Sequence, residues 1–198
     1  MIQSLGISSQ NGLSEQVEFY RTDANRHLSL ETRFELGQFM TPAPVASFMA
    51  SLFRAPSTKT IKLLDPGAGV GSLTAAFVEK FSQCHASLEK ISVTAYEIDP
   101  LLIKYLNSTL RDCERKCQKL GIEFDYNIIE EDFICSVTGM LKTDLFSEAR
   151  QEPDFTHAIL NPPYKKIHSD SKHRLLLSSV DIETSNLYTA FITLAIKL

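Results

Sequence analysis

Four consecutive residues, Asn161-Pro162-Pro163-Tyr164, directly follow the apolar run Ala158-Ile159-Leu160. Their types suit chemistry at an amino group conjugated to a flat ring. Such a nitrogen is a poor nucleophile because its lone pair is delocalised into the ring. The amide oxygen of Asn161 and the backbone carbonyl of Pro162 can accept its two hydrogens, which moves the nitrogen toward tetrahedral geometry and frees the lone pair. Proline has no N–H, fixes its own φ and restricts the residue before it, so the turn is stiff and presents acceptors rather than donors. Tyr164 offers an aromatic face. The competing structural reading is a strand-ending turn with a packed tyrosine.

Three further groups sit where a cofactor could be held. Asp65-Pro66-Gly67-Ala68-Gly69-Val70-Gly71 ends one apolar run and opens a helical pattern. Glycines such as Gly67 and Gly69 let backbone approach a ligand closely. The spacing is G-x-G-x-G rather than the dinucleotide G-x-G-x-x-G, and an acid ahead of it suits a cationic ligand, such as the ammonium of S-adenosylmethionine, better than a pyrophosphate. Glu97-Ile98-Asp99-Pro100 closes the next run; Glu97 can accept both hydroxyls of a ribose, a use shared with dinucleotide folds, and Ile98 can lie against an adenine. Asp99 reads as a helix cap. In Glu130-Glu131-Asp132-Phe133, Asp132 can accept from an adenine amino group while Phe133 covers the other ring face. Each acid alone reads as a solvated loop residue; what singles them out is their placement at three successive strand ends before the Asn-Pro-Pro-Tyr turn.

The elements that must carry these residues alternate. Strands are predicted at 61–64, 91–96, 124–129 and 156–160, with helices over 72–81, from Pro100 to Gly121, near 143–149, and from 187 onward. Ahead of them lie a helix over about 13–28 and a second one after Thr41-Pro42, with Thr41 as its N-cap and Val45, Phe48, Met49, Leu52 and Phe53 as its apolar stripe. Strand–helix alternation predicts an α/β fold: a parallel sheet with helices on both faces, Rossmann-like. Ligands then belong at the carboxyl ends of the strands. The final apolar helix runs to Leu198 without a cap, and the sheet is expected to be the first part of a longer one.

At 198 residues the chain has the length of one domain with a sizeable core, and 43% hydrophobic with 22% charged residues is the balance of a soluble globular protein. No run is long enough to span a membrane, no signal peptide is read, and a cytoplasmic location is expected. Cys84, Cys113, Cys117 and Cys135 form no CxxC pair, and the five histidines show no metal-ligand spacing, so no metal is expected and the thiols are read as free. A formal net charge of −4 does not advertise nucleic-acid binding, so any such surface must be local. Lys165, Lys166, His168, Lys172, His173 and Arg174 form one candidate patch, in a segment expected to be disordered without DNA. His157 reads as a half-buried strand residue.

The order Gly37-Gln38-Phe39-Met40-Thr41-Pro42, the glycine loop, Tyr96-Glu97-Ile98-Asp99-Pro100, Glu131-Asp132-Phe133, Asn161-Pro162-Pro163-Tyr164 and Asn186-Leu187-Tyr188-Thr189-Ala190-Phe191 resembles the γ-type DNA adenine methyltransferases of restriction-modification systems. The resemblance covers residue 36 to the end and implies a catalytic domain over 36–198 behind an N-terminal helical extension, 1–35. It implies that Phe39, Met40 and Thr41 border the methionine end of S-adenosylmethionine, and that Asp65 and Gly67 line its floor. Glu97 would then bind the ribose, Ile98 and Phe133 pack the adenine and Asp132 recognise it, while Asn161, Pro162 and Tyr164 receive a flipped target adenine in double-stranded DNA. Family members continue into further strands and a target-recognition region that these residues do not include.

Two other readings compete. Protein-glutamine methyltransferases acting on translation release factors also use Asn-Pro-Pro-Tyr, because a glutamine amide poses the same planar-nitrogen problem. A truncated, non-catalytic partner-binding module is the reading from a different class. Gly37–Pro42 and the Asn-Leu-Tyr at 186–188 favour the DNA adenine class.

Overall fold

The computed structural model describes residues 12–28, 39–54, 58–84, 88–142 and 155–198. Gly37, Gln38 and the helix expected near 143–149 lie outside the described residues. In chain order the elements are α1 (Leu13–His27), α2 (Ala43–Ser51), β1 (Thr60–Pro66), α3 (Ser72–Cys84), β2 (Lys90–Tyr96), α4 (Pro100–Lys119), β3 (Glu123–Ile129), α5 (Phe133–Leu141), β4 (His157–Ala158), α6 (Lys172–Ser178) and α7 (Leu187–Lys197).

The four strands form one parallel sheet in the order β3-β2-β1-β4. The chain moves outward through β1, β2 and β3, then returns to the opposite side of β1. That reversal opens a crevice at the carboxyl ends of β1 and β4, where open α/β sheets bind ligands. β4 is a short edge strand, extended by Thr156 N–H donating to the Lys62 carbonyl and Ile159 N–H to that of Leu64.

Two apolar layers sandwich the sheet. One packs α1, α2, α3 and α4 around Ile61, Leu63, Phe77, Phe81, Ile91, Val93 and Leu106. The other packs α5, α6 and α7 around Leu64, Tyr96, Ile134, Leu177 and Leu194. In α4 the buried positions Leu102, Leu106, Leu110, Cys113 and Cys117 recur at intervals of three or four, one face of a 3.6-residue helix. Asp99 caps it by accepting from Leu101 and Leu102 N–H, and Pro100 opens its first turn. Gly121, at φ 73°, ends it. α1 packs on the same layer through Leu13, Val17 and Ala24, and the Glu79 carboxylate accepts its first N–H groups, from Leu13 at 3.0 Å and Ser14 at 3.1 Å.

Four expectations are corrected here. Thr41 does not cap α2: Pro42 holds the N-cap position without a side-chain bond. The buried face of α2 is Ala46 and Ala50, while Val45, Phe48 and Leu52 are exposed. Small alanines let α2 lie close against α3, and Lys80 of α3 closes the contact by donating to the carbonyls of Ala50 (3.0 Å), Ser51 (2.9 Å) and Phe53 (2.5 Å). The segment after Tyr164, expected to be disordered without DNA, is folded here. It forms α6, capped by Ser171, and buries Ile167, Leu177 and Ile182 in the second apolar layer. Arg174, expected at a phosphate, instead donates to the Glu183 carboxylate and the Thr184 carbonyl.

Candidate active site

The glycine loop is shaped by backbone that only glycine adopts freely: Gly67, Gly69 and Gly71 have φ of 75°, 59° and 86°. A Cβ on Gly71 would lie 2.9 Å from Thr109 Cγ2, and the Thr109 hydroxyl donates to the Val70 carbonyl at 2.6 Å. The loop is therefore clamped against α4.

Glu97 is only 5% exposed yet keeps three backbone donors: Gly69 N–H on Oε2 at 2.8 Å, and Ile98 and Asp99 N–H on Oε1 at 2.8 and 2.9 Å. Burial raises its pKa above the ordinary carboxylate range against those bonds. The three donors fix the carboxylate at the end of β2 and leave lone pairs for further donors.

Asp132 stands at the start of α5, with Oδ1 accepting from Cys135 N–H at 2.8 Å and Oδ2 paired with His173 Nε2 at 3.0 Å. Although burial works in the other direction, the His173 bond and the Cys135 N–H hold Asp132 down at about 2. Ligand atoms of Asp132, Cys135 and His173 lie within 4.8 Å of one another, a grouping that sequence spacing did not suggest; the bonds just described account for it. Phe133, 2% exposed, is wedged between Tyr96 and Phe191, both at 5.0 Å between ring centroids.

On the other side of the crevice, Asn161 Nδ2 donates to the Phe39 carbonyl (3.3 Å) and to Thr41 Oγ1 (3.1 Å). With the nitrogen side committed, Oδ1 is turned outward as an acceptor and meets the Tyr164 hydroxyl at 3.1 Å. This is the role of Thr41: it orients the amide rather than capping α2.

These groups line one cavity of about 310 Å³. Phe39, Met40 and Thr41 form one wall, Gly67 and Gly69 the glycine edge, and Glu97, Ile98, Asp132 and Phe133 the far wall; Asn161 and Pro163 close the β4 side. Thus eleven of the fourteen predicted site residues share one space. Asp65, Pro162 and Tyr164 do not line it. Asp65 lies wholly buried behind the loop, with Oδ2 accepting from the Thr74 hydroxyl at 2.6 Å and Oδ1 without a hydrogen-bond partner among the described residues. Desolvation pushes its pKa up to about 7. Tyr164 is 61% exposed and borders a second, shallower cleft with Lys165, Lys166, Asn186 and Tyr188. His157 is half-buried among the rings of Phe53, Phe77 and Phe81, and burial lowers its pKa.

Sequence reasoning missed α5 and the cavity-lining residues Tyr96, His173 and Phe191. Asp132 followed by apolar positions 133, 134, 137 and 141 was the available signal for α5, masked by β-branched residues and Gly139. His173 had no signal, because its partner is 41 residues away.

The lining fits an adenosine-containing cationic cofactor: a glycine loop that Cβ atoms would crowd, a fixed carboxylate at the second strand end, and a second acid at the third, followed by the ring of Phe133. A family model described as N-6 DNA methylase matches residues 26–198. The chain is 44% identical over 169 residues to the Type II methyltransferase M.BsuBI of Bacillus subtilis, covering 85% of this chain and 32% of that protein. It is 41% identical over 181 residues to the Type II methyltransferase M.PstI of Providencia stuartii, covering 91% and 34%. The chain therefore spans about a third of the length of these relatives. Among solved structures, a Listeria monocytogenes protein inferred to be a class I S-adenosylmethionine-dependent methyltransferase superposes with a TM-score of 0.59 at 16% identity, covering 96% of this chain and 52% of that one. A modification subunit of an inferred type I restriction enzyme from Vibrio vulnificus gives 0.58 at 21% identity, covering 96% and 37%. Both share the fold.

Proposed function

Since the chain belongs to the N-6 DNA methylase family, we propose that it holds the catalytic machinery of a DNA adenine methyltransferase of restriction-modification type, with S-adenosylmethionine as methyl donor. The observation that carries this reading is the shared cavity: Glu97 and Asp132, the acids of the second and third strand ends, and Asn161 all line one space.

When bound, S-adenosylmethionine supplies an electrophilic methyl on a sulfonium, a good leaving group, so the protein's task is positioning. Glu97 would accept from the ribose hydroxyls, Asp132 from the adenine amino group, and Ile98 and Phe133 would contact the adenine faces. Phe39, Met40, Thr41, Gly67 and Gly69, which line the same cavity, would hold the methionine end. Asp65 supports the loop from behind. The target adenine stacks against Tyr164, while Asn161 Oδ1 and the Pro162 carbonyl accept its amino hydrogens. Rotating that base out of a duplex costs about a few kcal/mol, of which stacking returns roughly 1–3 kcal/mol. The exposed Lys165, Lys166 and Lys172 would take phosphates beside it. Residues 36–198 are the catalytic unit in this reading, with α1 docked on it as an extension.

The test is methyl transfer from tritiated S-adenosylmethionine. Label in N6-methyladenine after hydrolysis of double-stranded DNA is the expected result. Label in a glutamine of a release factor instead would select the protein-methylating reading. Failure of S-adenosylmethionine to stabilise the protein would leave only the non-catalytic one.

A further inference from the structure

The cleft beyond Tyr164 lies outside the cofactor cavity, and the reading above gives no role to its Tyr188 or Asn186. Its walls are Tyr164, Lys165, Lys166, Asn186 and Tyr188, and it encloses about 420 Å³. The Tyr164 and Tyr188 rings are stacked, with centroids 5.7 Å apart and planes 23° apart. Both are exposed, at 61% and 42%.

The two rings stand on backbone segments that are bonded to each other. Leu187 N–H donates to the Lys165 carbonyl at 2.9 Å and Ile167 N–H to that of Ser185 at 2.8 Å. Lys166 and Asn186 pair between them as an antiparallel bridge. Asn186 also caps α7, accepting from Thr189 N–H at 2.7 Å. The backbone positions that carry the two rings are thus tied together by main chain. At this spacing the two rings lie against each other as an ordinary aromatic pair, with no base between them. Tyr188 therefore does not form the second side of a slot for the target base. It offers an aromatic surface of its own, outside the catalytic cavity, with two lysines beside it. Exposed rings interleaved with lysines are the composition of single-strand stacking platforms.

We propose that this cleft is a subsite for the nucleotide next to the flipped adenine, with Tyr188 stacking its base and Lys165 and Lys166 taking its phosphate. The inference rests on the DNA-methyltransferase reading. Its test is a double-mutant cycle on the full chain with short single-stranded oligodeoxynucleotides carrying one adenine. The strands have either a normal base or an abasic site on the 5′ or the 3′ side of that adenine. Tyr188→Ala is expected to weaken binding on the order of tenfold when both neighbours are intact. On one side only, the abasic strand should remove that effect. Tyr188→Phe should restore binding, because the ring and not the hydroxyl stacks. Stabilisation by S-adenosylmethionine, unchanged in Tyr188→Ala, shows that the variant is folded. An equal effect of Tyr188→Ala on all strands, or none, overturns the subsite while leaving the cofactor reading intact. Wild-type protein that neither binds the strands nor responds to S-adenosylmethionine overturns both.

Discussion

The Tyr164 hydroxyl donates to Oδ1 of Asn161 at 3.1 Å, so the acceptor assigned to the target amine is held by the protein's own tyrosine. An incoming amino group must replace that hydroxyl. Two substitutions at Tyr164 should then act in opposite directions. Tyr164→Phe keeps the ring and clears the acceptor, and should tighten binding of an adenine-containing oligonucleotide by about twofold to tenfold. Tyr164→Ala removes the ring and should weaken it on the order of tenfold. Equal weakening by both, measured by fluorescence anisotropy, would mean that the hydroxyl touches the substrate.

Cofactor binding and methyl transfer separate onto different residues. At a hundredfold excess over its dissociation constant, S-adenosylmethionine should stabilise the folded protein by about 2.7 kcal/mol, a rise in Tm of roughly 5–10 °C. Glu97→Gln should remove most of that rise. Asn161→Ala should keep it while cutting methyl transfer by about 10²–10³-fold, the loss seen when one transition-state hydrogen bond is deleted. Differential scanning fluorimetry beside the tritium assay reads both; loss of the thermal shift in Asn161→Ala would refute the division.

Asp65 has a folded-state pKa raised to about 7 by burial, above its ordinary value. Below that ordinary value the carboxyl is protonated in both folded and unfolded chains and contributes no pH dependence. As pH rises toward 7 the unfolded chain has released the proton and the folded one has not, so stability falls; above 7 the penalty is constant. Asp65→Asn removes the titration. Relative to wild type, the variant should gain on the order of 2 kcal/mol between about pH 5 and about pH 8, measured by urea unfolding. A constant difference across that range would show that Asp65 stays ionised.

His173 and Asp132 form the opposite case. The carboxyl is held at about 2, so its contribution is complete above the ordinary carboxylate range and is lost as pH falls toward 2. In His173→Ala the largest of the interactions holding it down is gone, and the Asp132 carboxyl carbon should titrate at a higher pH by NMR. Less stability should then be lost on acidification. An unmoved titration would assign the depression to the Cys135 N–H alone.

Much of this site was legible because the chemistry is punctuated. Acids, glycines and the Asn-Pro-Pro-Tyr turn each follow an apolar run, and a parallel sheet brings the ends of such runs together. What the sequence hid was long-range. Apolar spacing in α2 pointed to Val45, Phe48 and Leu52, but close packing on α3 selected Ala46 and Ala50, whose small side chains give weak periodicity. Thr41 looked like a cap because caps are local, and its partner Asn161 is 120 residues away. The polar stretch after Tyr164 looked unstructured by composition, yet four or five apolar residues within it suffice to seat α6 on the second layer.

The main-chain ladder joining Lys165–Ile167 to Ser185–Leu187 closes a loop before any ligand arrives. The entropy of bringing its two ends together is lost once, during folding, rather than at each encounter with a substrate. The backbone beneath Tyr164 and Tyr188 is therefore already in place, and the contact free energy of an arriving base is not spent on ordering it.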